Sequence, residues 1–363
     1  MSLWLDFIYC YNLILEYYVY ISLFLTVTYV LIILRYMEGW KALPSWSTPS
    51  DFQPQTRVTV LIPARNESEN IQACVQSVVN QNFPKALLEI IVIDDHSTDD
   101  TIEKINQLQL PNIKILQLQN FITHRNETQS YKKKALEIGI QESTSDLIVT
   151  TDADCIAPTN WLSLIVSFYE KKHYKFIAAP VNFYNEKTLL EKFQSLDFAG
   201  MMCITGAGIH RRFMNMCNGA NLAYEKKAFY EVNGFEGINH IASGDDILLM
   251  QKMAKRYPNQ VGFLKNKNAT IITKAMPDLS SFINQRVRWA SKSGSYTEFQ
   301  IIAILALIFF FCASIVVNFF LLPFFWQKIG WVFITQIIVK SICLLYTSPS
   351  PRDATLSRMP SSA

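Results

Sequence analysis

The chain has 363 residues, half of them apolar and only 17% charged, with a formal net charge of +3 at pH 7. Length allows two or three units at about 150 residues each, and so apolar and sparsely charged a chain cannot be a disordered one. The 12 glycines and 14 prolines exclude a collagen-like repeat, and so small a positive surplus gives no electrostatic footprint for nucleic acid.

Residues 17–34 (YYVYISLFLTVTYVLIIL) form an uncharged run of about 18, enough to cross a bilayer when a few flanking residues join in. No basic segment precedes it, Asp6 and Glu16 come early, and no small-residue cleavage pattern follows. It therefore reads as an anchor over residues 1–40, not as a cleaved leader. Residues 41–56 (KALPSWSTPSDFQPQT) are rich in Pro and Ser and read as a linker.

Residues 57–298 alternate strand and helix. A β-branched run at 57–63 ends in Pro63 and the cluster Arg65-Asn66-Glu67, and a helical pattern follows from about Asn70 to Val79. A second strand, 88–93 (LEIIVI), ends in Asp94-Asp95; a helix then starts near Asp100, with Glu103 placed for a capping box. A third strand is expected at 113–118, a helix at 131–140, and a fourth strand at 147–151 ending in Asp152-Ala153-Asp154. Near-continuous apolar strands separated by helices indicate a parallel sheet covered on both faces. Ligands bind such sheets beyond the carboxyl ends of the strands, so the polar groups at three strand ends should converge on one rim.

Residues 299–322 form an uncharged run of about 24, a second span. After Pro323 and a Gln327-Lys328 connection, residues up to 345 give a third. Arg35, Lys41 and Arg57 follow the first span, while Arg286, Arg288 and Lys292 precede the second. The positive-inside rule then puts the middle region in the cytoplasm of a multi-pass protein of the cell membrane. Residues 346–363 lack apolar periodicity and read as an unstructured end, or as vector or read-through sequence. The seven cysteines are odd in number, scattered and without a C-x-x-C pair, which argues against a disulfide framework or zinc site and for reduced thiols.

Asp152 and Asp154, at alternate positions after a strand, suit a hard divalent cation that takes one or two carboxylates plus substrate phosphates, although Asp-x-Asp also arises by chance on loops. Asp95 could accept hydrogen bonds from a ribose or base, or be a turn former. Of Lys132, Lys133 and Lys134, at least two read as solvated charge and one as a phosphate contact. Asp245 and Asp246 precede the apolar segment 247–250; one would cap that helix and the other could act as a general base. On a helix Gln285, Arg288 and Trp289 share a face, suited to a sugar ring beside an anionic leaving group or to an interfacial belt.

Together PARNE (63–67), IDDHSTDDT (93–101), TDAD (151–154), NGANLAY (218–224), GDD (244–246) and QRVRW (285–289) make the chain resemble the membrane-anchored family 2 glycosyltransferases, the group of cellulose, chitin, hyaluronan and poly-N-acetylglucosamine synthases and ceramide glucosyltransferase. The resemblance implies an α/β GT-A fold, a nucleotide-sugar donor (a UDP-sugar), a glycan or lipid acceptor at the bilayer, Mg²⁺ or Mn²⁺, and inversion at the anomeric carbon. By position, Pro63, Arg65, Glu67 and Asp95 would line the nucleoside pocket. Lys132 matches the lysine of a Gly-Lys element whose glycine is here Tyr131. Asp152 would contact the nucleotide sugar and Asp154 the metal; Asp246 would be the catalytic base, with Asp245 where the synthases usually carry glutamate. Gln285, Arg288 and Trp289 match the acceptor and diphosphate platform. A nucleotidyltransferase or a non-catalytic membrane scaffold are the readings from other classes, and processive synthesis versus single transfer to a lipid stays open.

Overall fold

The computed structural model describes residues 2–110, 113–122, 130–214, 216–239, 241, 244–291, 294, 296 and 298–347, with the backbone alone for 2–11 and 344–347. Ser243, Lys292 and residues 348–363 of the sequence reading lie outside the described residues.

Four apolar runs become neighbouring parallel strands: β1 (Val58–Ala64), β2 (Leu88–Asp94), β3 (Ile113–Gln117) and β4 (Leu147–Thr150). Short strands β5 (Phe176–Ala178), β7 (Leu222–Glu225) and β8 (Val261–Phe263) extend them into a seven-stranded sheet in the order β3-β2-β1-β4-β7-β5-β8. Strand β7 alone runs antiparallel to its neighbours. Strands β6 (Val181–Phe183) and β9 (Ile271–Thr273) pair separately in parallel, and a bridge from Ile156 to Ile272 ties them to the segment after Asp154.

Side chains alternate along each strand, and both faces of β1 are buried. Val58, Val60 and Ile62 face α2 (Ile71–Val79), α3 (Thr101–Gln107) and α5 (Trp161–Lys172). Leu61 faces α4 (Tyr131–Glu142), α7 (Lys226–Glu231) and α8 (Ile247–Arg256). The result is a three-layer body in which Leu61, Ile62 and Ile91 have no exposed surface; truncating one of these to Ala costs about 2–5 kcal/mol.

Outside this body, α1 (Ser2–Ala42) and α10 (Phe299–Thr347) lie against one another and against α6 (Leu189–Arg211). The stretches Asn12–Ala42 and Phe299–Cys343 are long and apolar enough to cross a membrane. Helix α10 leaves helical geometry at Phe325 (φ −137°, ψ 33°), two residues after Pro323, because proline removes an amide donor and clashes with the preceding turn. The chain folds back there. Asn318 Nδ2 donates to Gln336 Oε1 at 2.8 Å, whereas a straight helix would hold residues 18 positions apart at about 27 Å. The two apolar runs expected at 299–322 and 329–345 are therefore two arms of one hairpin. Tyr29 of α1 joins both arms, stacking on Phe311 at 4.1 Å and donating to Cys343 at 3.2 Å.

The segment expected to be a linker is laid on the body. Trp46 Nε1 donates to Ser167 Oγ at 3.0 Å, and Glu170 accepts from the backbone of Gln55 and Thr56. The expected cap on α3 shifts by one residue: Asp100 makes no side-chain cap, while Asp99 accepts from the Thr101 amide and hydroxyl and from the Ser68 amide.

Candidate active site

The carboxyl ends of β1, β2 and β4 share one rim, since Ala64 pairs with Asp94 and Leu61 with Thr150. Because β7 is antiparallel, its beginning reaches the same rim, which brings Asn218, Gly219 and Ala220 there. A cleft of about 470 Å³ opens at this edge. Pro63, Arg65, Glu67 and Asp95 line one part of it; Lys132, Asp152, Asp154, Asp245 and Asp246 line its floor; Gln285, Arg288 and Trp289 line the part supplied by α9 (Leu279–Ala290). All twelve residues singled out in the sequence meet in this one cleft.

The loops after β1 and β2 interlock. Asn66 and His96 both adopt left-handed backbone (φ 55° and 56°), the Asn66 amide donates to Ser97 Oγ, and the Thr98 amide donates to Asn66 Oδ1. Asp95 accepts from His96 Nδ1 at 2.9 Å and lies 3.6 Å from the Arg65 guanidinium. Left-handed turns and hydrogen bonds between the two loops thus hold the carboxylate that the sequence left between turn former and ligand.

Lys132 sits between carboxylates, 2.6 Å from Asp152 and 3.7 Å from Asp245. Burial alone would lower its pKa, but Asp152 and then Asp245 raise it above the ordinary lysine range, so the ammonium stays charged. Gly219 lies against these groups: a Cβ there would stand in ordinary contact, 3.4 Å from Asp245 Oδ2 and 3.7 Å from Lys132 Nζ. Asp246 is buried and caps α8, accepting from the Ile247 amide at 2.7 Å and the Gly219 amide at 3.2 Å. The residue proposed as base and the helix cap are therefore one carboxylate, not two. Gly244 (φ 82°) makes the turn ahead of the pair in a conformation that glycine alone adopts without strain. Burial, and behind it the charge of Asp246, push the Tyr296 hydroxyl up to about 12.

Asp154 accepts from Thr273 Oγ1 at 3.1 Å and from Cys155 Sγ at 3.4 Å. Burial first and Asp152 second hold its carboxyl above the ordinary aspartate range, and burial likewise raises Glu67. Among the described residues no third His, Cys, Asp or Glu completes a protein-only metal cage. The pair thus suits a hard cation such as Mg²⁺ or Mn²⁺ that shares its coordination sphere with phosphate oxygens.

On α9 the sequence placed Arg288 in the platform and read Arg286 only as a basic flank of the next span. Arg288 is exposed at the cleft, while Arg286 pairs with Asp197 at 2.8 Å and lies over the Trp289 ring at 4.6 Å. It clamps Trp289 against α6, where the indole also meets Phe198 at 5.9 Å. Gln285 Oε1 is buried without a hydrogen-bond partner among the described residues. The lysine run also resolves differently from expectation: Lys133 is 2% exposed, and Lys134 pairs with Glu137 at 2.9 Å. Thr273 and the clamping role of Arg286 carried no signal, because each depends on a partner far away in the chain.

Fold and cleft define an α/β domain with an acidic, cation-suited rim. The profile described as "Glycosyl transferase family 2" matches residues 59–232, and that of "Glycosyl transferase family group 2" matches residues 147–349, more than half of the chain. The chain belongs to glycosyltransferase family 2. It is 29% identical over 194 residues to glycosyltransferase AglE of Haloferax volcanii, covering 52% of this chain and 59% of that protein. It is 26% identical over 237 residues to poly-beta-1,6-N-acetyl-D-glucosamine synthase of Staphylococcus aureus, covering 64% and 53%. The chain thus spans little more than half the length of these two relatives. The solved mannosyltransferase PcManGT of Pyrobaculum calidifontis, in complex with GDP-Man and Mn²⁺, superposes with a TM-score of 0.58 at 18% identity, covering 93% of this chain and 90% of that one. That likeness establishes the fold as GT-A.

Proposed function

We propose that the chain is an inverting glycosyltransferase that moves a sugar from a nucleotide-sugar donor, a UDP-sugar, to a polysaccharide or lipid acceptor at a membrane. The observation that carries this reading is the convergence of Asp95, Asp152, Asp154, Asp246 and the α9 residues on one cleft. The donor-side roles fall to Pro63, Arg65, Glu67 and Asp95 for the nucleoside, and to Lys132 and Asp152 for the sugar diphosphate. Asp154, with Asp152, would hold Mg²⁺ or Mn²⁺; bound there, the cation would neutralise charge developing on the departing diphosphate. Arg288 would add a fixed positive group beside the same leaving group. Gln285 Oε1, with no partner, offers an acceptor hydroxyl a hydrogen bond, and Trp289 offers the sugar ring an apolar face.

Asp246 is the base in this reading. Two backbone amides orient its carboxylate, and a carboxylate within hydrogen-bond reach of the acceptor's hydroxyl can take its proton. As that proton moves to Asp246, the acceptor oxygen bonds to the anomeric carbon and the bond from that carbon to the diphosphate oxygen breaks. Attack from the face opposite the leaving group inverts the centre.

The membrane setting rests on the α1 and α10 stretches and on basic residues at their body-side ends, among them Arg35, Lys41, Arg286 and Arg288, which by the positive-inside rule put the α/β body in the cytoplasm. Leu279, Ile283 and Val287 repeat every four residues along α9 and stand exposed, as on a helix lying in a bilayer interface. This assigns residues 1–40 to the anchor, 57–298 to the catalytic domain and 299–345 to further spans. Membranes carrying the chain, supplied with labelled UDP- and GDP-sugars and Mn²⁺, should release nucleoside diphosphate and gain label in lipid or polymer. Release of pyrophosphate, or no turnover of any activated sugar, would overturn the reading.

A further inference from the structure

Two lysines with no part in the chemistry above hold the loop that leads to Asp245 and Asp246. Lys133, in the first turn of α4, donates to the carbonyl oxygens of Ile238 at 2.8 Å and Ile241 at 2.6 Å. Lys252, in α8, donates to those of Gly234 at 2.6 Å, Glu236 at 3.0 Å and Asn233 at 3.3 Å. Five carbonyls between residues 233 and 241 therefore point at two ammonium groups that come from different helices. The loop is otherwise built to bend: Asn233, Gly234 and Gly237 all have positive φ (55°, 42° and 80°).

A lysine as buried as Lys133 is costly to keep charged unless its donors are satisfied. The carbonyl oxygens of Ile238 and Ile241 lie within its reach only when the loop takes this path. The neighbouring Lys132 meanwhile reaches Asp152 and Asp245. One turn of α4 thus touches the donor-side carboxylate, the side chain of Asp245, and the backbone a few residues upstream of Asp246.

We infer that Lys133, backed by Lys252, is a positioning residue that clamps residues 233–239 and Ile241 and so sets Asp246 at the distance its proton transfer requires. The inference rests on the reading of Asp246 as base. Misplacing a reacting group by about 1 Å can cost on the order of a hundredfold in rate.

The test uses the full chain in membranes or detergent, comparing Lys133→Met and Lys252→Met with the parent. For Lys133→Met, kcat should fall by about tenfold to a hundredfold, with the donor KM and the affinity for UDP within about twofold. Amide hydrogen exchange should quicken within residues 233–246 and stay unchanged in β1 and β2. Lys252→Met should show the same pattern with a smaller fall, since it leaves Lys133 in place. Unaltered kcat and exchange in Lys133→Met would overturn the inference. So would UDP affinity lost in step with kcat, or exchange quickened throughout the sheet, either of which marks a merely structural lysine. If the parent itself transfers no sugar, the functional reading fails, and exchange alone decides whether the clamp exists.

Discussion

The helical hairpin and the cleft both bury polar groups, but they treat them in opposite ways. Within the hairpin and α1, neutral side chains satisfy one another: Tyr18 donates to Asn318 Oδ1, Asn318 to Gln336 Oε1, and Gln336 to Ser314 Oγ and Thr26 Oγ1. Gln336 and Asn318 have no exposed surface, and the network spends its donors holding three helical segments together. In the cleft, like charges face one another instead. Asp152 and Asp154 share a loop, Asp154 is held above its ordinary pKa, and Gln285 keeps an unused acceptor. A satisfied network fixes a structure, whereas an unsatisfied one has capacity left for a ligand.

Substitutions that separate stability from chemistry sharpen this contrast. The largest effect is expected for Asp246→Asn, whose one carbonyl oxygen can still accept from the Ile247 amide but not also from the Gly219 amide, and which cannot take a proton. Transfer should fall by about a hundredfold to ten-thousandfold while UDP titration gives a Kd within about twofold of the parent. Next comes removal of the cation. Chelation, or Asp154→Asn, should lower turnover by about a hundredfold, and added Mn²⁺ should restore the chelated parent but not the variant. A parent that turns over equally well in chelator would break the cleft side of the comparison.

The hairpin side predicts a different readout. Gln336→Leu leaves Asn318 Nδ2 and Ser314 Oγ without their partner and should destabilise the helices by about 0.6–1.7 kcal/mol, seen as a lower unfolding midpoint in detergent. Its kcat and KM should stay within about twofold of the parent. The smallest effect belongs to Asp99, a solvated carboxylate whose hydrogen bonds from Thr101 first, and from the Ser68 amide, lower its pKa to about 2. A depressed folded pKa stabilises above the unfolded value of about 3.9 and loses that contribution as pH falls toward the folded one. Parent and Asp99→Asn should therefore differ slightly in Tm above about pH 4 and converge as the pH approaches about 2; a gap that widens in acid would contradict the assignment.

How legible each part was follows from the length and locality of its signal. Strands β1, β2 and β4 stand out because continuous apolar runs of four to seven residues end in polar clusters. Strands β5, β6, β8 and β9 have three residues each, too few to show a period, so nothing in the sequence placed them. The antiparallel course of β7 was equally invisible, although it is what delivers Gly219 to the rim. The twelve cleft residues could be named because each belongs to a short motif, some with a chemistry of their own, such as Asp152 and Asp154, and others, such as Pro63, Arg65 and Glu67, only through the family resemblance. Lys133 looked like its neighbours in a run of three lysines, and only tertiary packing distinguishes the buried one. Thr273 steadies Asp154 across 119 positions, a relation no local pattern carries. The two spans read at 299–322 and 329–345 are the two arms of the hairpin; what no local pattern carried is the anchor at its turn, where Lys328 finds Glu16 at 3.6 Å and Asn12 Oδ1 at 3.0 Å.

Calorimetric titration of UDP into the purified chain, with Mn²⁺ present and then chelated, addresses the cleft most directly. If Asp152 and Asp154 and the nucleotide diphosphate share a cation, UDP affinity should drop by about tenfold or more on chelation in the parent. In Asp154→Asn it should be weak and indifferent to Mn²⁺. Equal affinity with and without the cation in both proteins, or no binding of any nucleotide, would contradict the account.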